Sequence, residues 1–75
     1  MLNLRVKLSS VDEIRDFVNK CCSLNCEIDL AAGRYIVDAK SILGVCSVDL
    51  TRDLELSVYT DNTDEVVEVL QPYMV

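Results

Sequence analysis

The sequence predicts an α+β fold: an open-faced β-sandwich in the order β-α-β-β-α-β-α, with a four-stranded antiparallel sheet and three helices on one face. Two observations carry that expectation. Three stretches alternate apolar and polar residues with period two, as strands with one wet face do, and a fourth, the apolar run Tyr35-Ile36-Val37, reads as a strand through the turn that joins it to the second. The stretches between them place apolar residues three and four apart behind serine or asparagine caps, as helices with one buried stripe do. Because the second and third strands are joined by a short glycine-bearing turn, they form an antiparallel hairpin, and the helices must then share one face of the sheet.

Taking the elements in order, Leu2, Leu4, Val6 and Leu8 alternate with Asn3, Arg5 and Lys7, which predicts a first strand over 2–8. Ser10-Val11-Asp12-Glu13 reads as a capping box, in which the Ser10 hydroxyl and the Glu13 carboxylate each take a free backbone donor. The helix it opens turns Ile14, Phe17, Val18 and Cys21 inward and ends at Ser23-Leu24-Asn25. Cys26, Ile28 and Leu30 alternate with Glu27 and Asp29. The turn Ala32-Gly33-Arg34 then leads to the strand Tyr35-Ile36-Val37. Ser41 stands at an N-cap, and the second helix runs from it to a close near Asp49 to Arg52. Leu54, Leu56 and Val58 point inward from a fourth strand over 54–60. Asn62-x-x-Glu65 reads as a second capping box before Val66, Val67, Val69 and Leu70, in a last helix that stops at Gln71 because Pro72 follows.

Composition bounds the function. At 75 residues the chain predicts a single domain over 1–75, whose core supplies only about 3–5 kcal/mol and leaves no room for a deep two-lobed active site. The apolar runs are a few residues long, far short of the roughly 20 that span a bilayer. Met1 followed by alternating Leu2-Asn3-Leu4-Arg5 does not read as a signal peptide, so a cytoplasmic location is expected. Thirteen acidic against seven basic side chains give a formal charge of −6. That charge opposes the phosphate contacts on which nucleic-acid and anionic-membrane binding depend. Cys21, Cys22, Cys26 and Cys46 lack the paired knuckles of a structural zinc site, and there is no histidine. They are expected to be reduced, buried or half-buried thiols, with no metal and no cofactor. No other constellation reads as catalytic: Asp12, Glu13 and Asp16 belong to a solvated helix face, and Gly33 and Gly44 build no phosphate-cradling loop.

The segment from Asp38 to Leu50 is the most informative. Ile42, Leu43, Val45, Cys46 and Val48 cover more of a short helix than one buried stripe needs, so part of that helix is expected to face outward as a docking surface. The run Lys40-Ser41-Ile42-Leu43-Gly44-Val45-Cys46-Ser47 resembles the regulatory-serine motif of HPr, the small phosphocarrier of the bacterial sugar phosphotransferase system. The resemblance is tight over 37–48, fair at Phe17-Val18 and loose elsewhere. It implies the HPr-like fold with strand order 1-4-2-3. Aligned on Phe17-Val18, Ser10 falls where the family carries its phosphoryl-accepting histidine, with Asp12 and Glu13 at the arginine and proline of the family's His-x-Arg-Pro run.

A carrier needs a nitrogen nucleophile, because a serine phosphoester is too stable to pass its phosphoryl group onward. Asp12 would also repel the dianion that an arginine would hold. The chain by itself is therefore expected to be neither a phosphocarrier nor an enzyme. It resembles a catabolite-repression HPr, which implies phosphorylation of Ser41 by a serine kinase and docking through Lys40, Ile42, Leu43 and Cys46 to a carbon-catabolite transcription regulator. The competing expectation is that the same sandwich serves as a ligand-binding or assembly module unconnected with the phosphotransferase system, with Tyr35-Ile36-Val37 at a sheet edge open to another chain.

Overall fold

The computed structural model describes residues 1–75. Strands β1 (Leu2–Val6), β2 (Glu27–Ala32), β3 (Tyr35–Asp38) and β4 (Leu54–Tyr59) form one antiparallel sheet in the order β1-β4-β2-β3. Helices α1 (Val11–Ser23), α2 (Ile42–Ser47) and α3 (Thr63–Leu70) complete the order expected from the periodicities, and a single 3-10 turn, Gln71–Tyr73, follows α3. The hairpin between β2 and β3 closes on Gly33, whose φ of 63° lies in the left-handed region. With glycine first and no positive φ at Arg34, this is a type II′ turn.

The inward residues of the strands meet the apolar stripes of the helices in one cluster of 19 buried residues, none of them polar. Phe17, Leu30, Leu56, Val58 and Leu70 are fully excluded from solvent at its centre. Tyr73 joins them: its ring stands edge-on to Phe17 with centroids 5.5 Å apart, and the Lys20 ammonium lies 5.1 Å above it. Pro72 ends the α-helix, and the turn it favours folds Tyr73 back under α1.

Several local expectations are corrected. Strand β1 stops at Val6, although Leu8 is still buried, because the chain turns toward the α1 cap. Helix α2 ends at Ser47, well before Asp49, with the Ser47 hydroxyl donating to the Gly44 carbonyl at 2.6 Å. Beyond it Asp49 organises a separate turn by accepting from both the N–H and the hydroxyl of Thr51, which holds its carboxyl below the usual range. The second capping box does not form. Asn62 makes no side-chain cap; its amide donates instead to the Glu65 carboxylate at 2.9 Å. Two of the four cysteines, Cys22 and Cys46, are exposed rather than buried or half-buried.

Candidate functional site

Two serines cap two helices. Ser10 has extended backbone angles, and its hydroxyl accepts from the Glu13 N–H at 3.2 Å. The other half of the expected capping box is replaced: the Glu13 carboxylate takes the Ser9 hydroxyl at 2.7 Å instead of a backbone donor. Around this cap stand Asp12 and Glu13, with Asp12 held by Arg15 at 3.0 Å. A cleft of about 700 Å³ opens beside Ser9 and Ser10, with Lys7, Leu8, Leu50 and Arg52 in its wall. No imidazole stands here or elsewhere in the chain.

Ser41 repeats the same cap on α2: extended backbone, and a hydroxyl accepting from the Gly44 N–H at 3.2 Å. Its setting is different. No acidic residue lies in the first turn of α2. Val45 turns fully inward, whereas Leu43 is 82 % exposed and Ile42 43 % exposed, with Cys46 also on the surface. A helix of six residues can bury only one narrow stripe, so the apolar surplus noted in the sequence is left outside. Gly44 allows the helix to lie close against β3: a Cβ there would sit 3.3 Å from that of Val37.

Lys40 has a structural position of its own. Its ammonium donates to the Leu24 carbonyl at 2.7 Å, while its backbone N–H donates to the Asp38 carboxylate at 2.9 Å. The exposed Cys22 thiol reaches the Lys40 carbonyl at 3.5 Å. These contacts tie the end of α1 to the approach to α2. Under them lies Cys21, whose thiol burial pushes up to about 12. The sequence contained no signal for this tether, since a lysine side chain folding back on a carbonyl 16 residues away depends on how the two helices meet.

The structure thus brings Lys40, Ser41, Ile42, Leu43 and Cys46 together at one end of the molecule and keeps Ser10 apart at the start of another helix. A family model described as PTS HPr component phosphorylation site matches residues 13–74. The chain belongs to the HPr family. The match begins at Glu13, so Ser10 lies outside it. Among solved structures, the HPr-family chain is similar to HPr-C-His from Thermoanaerobacter tengcongensis, with a TM-score of 0.79 and 22% identity over 96% of this chain and 89% of that one. It is also similar to a phosphocarrier protein HPr from Bacillus anthracis str. Ames, with a TM-score of 0.75 and 22% identity over 99% of this chain and 96% of that one. At that identity the likeness shows the fold, including the strand order that the motif implied. No curated protein matches the sequence. HPr proteins are phosphocarriers that interact with proteins of the phosphotransferase system, and none of the helices here is long and apolar enough to cross a membrane.

Proposed function

We propose that this HPr-family chain is a regulatory protein-interaction domain of 1–75 without phosphocarrier activity, controlled by phosphorylation at Ser41. The observation that carries the reading is the exposed apolar surface of Ile42, Leu43 and Cys46 beginning directly after the Ser41 cap. A phosphate on Ser41 adds about −2 charge beside that surface and faces the Gly44 N–H that the hydroxyl now accepts from, so the fold is kept while the surface changes. A partner bearing an arginine next to an apolar pocket then gains a charge-assisted contact. By resemblance that partner is a carbon-catabolite transcription regulator and the modifying enzyme a serine kinase, both in the cytoplasm. Lys40 contributes by holding the approach to α2 in place, since its ammonium is engaged with Leu24.

Loss of the carrier reaction follows from the absence of any imidazole. The reading is tested by two incubations. With the family's serine kinase and ATP, the protein acquires one acid-stable phosphate, at Ser41. With phosphoenolpyruvate and the enzyme that charges HPr, it acquires no acid-labile phosphate. An unlabelled protein in the first incubation, or a phosphoramidate in the second, overturns the proposal.

A further inference from the structure

The two edges of the sheet are finished differently. Along β1, segment 73–75 closes the edge: the Lys7 N–H donates to the Tyr73 carbonyl at 2.9 Å, Val6 bridges Met74, and the Val75 N–H donates to the Arg5 carbonyl at 3.0 Å. Along β3 nothing comparable lies. The strand pairs only with β2, and its Tyr35 and Ile36 are 73 % and 69 % exposed. An uncovered apolar edge strand is a template for another strand.

Register shows what fits it. A two-residue hairpin closes on a narrow, doubly bonded pair, here Ala32 with Tyr35, so the next pair, Ala31 with Ile36, is a wide one. The N–H and carbonyl of Ile36 therefore point away from β2, toward the open edge. If a second β3 is laid antiparallel about a two-fold axis at Ile36, those groups meet their own copies. The same register sets Tyr35 opposite Val37 and Arg34 opposite Asp38, twice. The charges match a need already present in each chain. Arg34 has no ion-pair partner, the two ion pairs being Arg15 with Asp12 and Arg52 with Asp49. Asp38, one of whose carboxylate oxygens accepts the Lys40 N–H at 2.9 Å, has no cation paired with it and lies directly across the sheet from Asp29, a like-charged neighbour that already takes the Tyr59 hydroxyl at 3.3 Å.

We infer that the β3 edge is a self-complementary interface, on which two copies of this chain pair through Arg34–Asp38 into one continuous eight-stranded sheet. The inference is independent of Ser41 phosphorylation. So short a strand contact makes a weak dimer, with a dissociation constant on the order of 10⁻⁴ M.

Sedimentation equilibrium on the whole chain from about 10 μM to about 1 mM tests it. The expected result is a concentration-dependent rise toward twice the monomer mass. Arg34→Asp and Asp38→Arg, each alone, set like charges opposite one another at both ends and raise the dissociation constant about tenfold, whereas the double variant restores it. Ile36→Pro removes an outward N–H that the chain itself does not use, so it gives a monomer of unchanged melting temperature. A wild-type chain that stays monomeric at about 1 mM, or single and double charge variants that associate alike, overturns the inference even if Ile36→Pro fails to fold.

Discussion

Ser10 and Ser41 are the same device in two settings. Each accepts from the N–H three residues on at 3.2 Å, and each stands in extended backbone before its helix. Around Ser10 the first turn is acidic, and its carboxylates are engaged with Arg15 and Ser9. Around Ser41 the first turn carries no acid, and the residues that follow are apolar and exposed. The comparison teaches that a serine cap by itself has no function beyond ending a helix; what lies within one turn of it decides whether added charge would be repelled or used.

The largest effect expected from this difference is all-or-none. Ser41→Ala abolishes the kinase-dependent label and Ser10→Ala leaves it whole, as mass spectrometry of the intact protein will show. A label that survives Ser41→Ala and disappears in Ser10→Ala would reverse the assignment.

Next comes the division within α2 between the inward and outward residues. Val45 is wholly buried, so Val45→Ala removes core volume and lowers stability by about 2 kcal/mol. Leu43→Glu changes an exposed position and moves the urea midpoint by less than about 0.5 kcal/mol equivalent while weakening partner binding. If Leu43→Glu destabilises as much as Val45→Ala, Leu43 is core and the docking surface is lost.

The Ser41 end also carries a pH-sensitive thiol. Cys21 ionises near the ordinary thiol value of 9.0 when unfolded but is pushed up to about 12 in the fold, because burial disfavours the thiolate. The folded state thus holds its proton where the unfolded state releases it. Stability is complete below pH 9 and falls as pH rises toward 12, by up to about 1.4 kcal/mol per pH unit. Denaturant titrations over that window, repeated on Cys21→Ala, should show a shallower slope in the variant. Equal slopes would remove Cys21 as the cause.

The smallest expected effect tests the likeness of the two caps directly. Because the hydroxyl contacts have the same length, Ser10→Ala and Ser41→Ala should each cost about 1 kcal/mol in equilibrium unfolding. A much larger loss at Ser41 would show that the cap also braces α2 against β3.

Much of this molecule was legible in the chain because its elements are specified locally. Period-two alternation marked β1, β2 and β4, the glycine-bearing turn marked the hairpin that carries β3, and the 3.6-residue stripe marked Ile14, Phe17, Val18 and Cys21 as one buried face. The run from Lys40 to Ser47 pointed to the family that the match over 13–74 establishes. That part of the apolar surplus after Ser41 would face outward was also foreseeable, since a short helix has a single inward stripe, while the fold decides that Ile42 and Leu43 are among the exposed ones.

Other features depended on which segments meet in space. Nothing local to Tyr73 announces a core residue; it is buried because the 3-10 turn delivers it to Phe17. Lys40 looks like a free cation beside a serine until α1 and α2 pack and the Leu24 carbonyl comes within 2.7 Å. Asn62 and Glu65 have the spacing of a capping box, yet their side chains bond to each other, because cap geometry depends on the incoming backbone as well as on residue type. Which edge of the sheet is closed was likewise settled only by the path of residues 73–75 along β1. Sequence by itself determined the elements, their inward faces and the family, since these follow from periodicity and short-range hydrogen bonding. The tertiary structure decided the tether at Lys40, the buried Tyr73 and the open β3 edge, since each requires contacts between residues far apart in the chain.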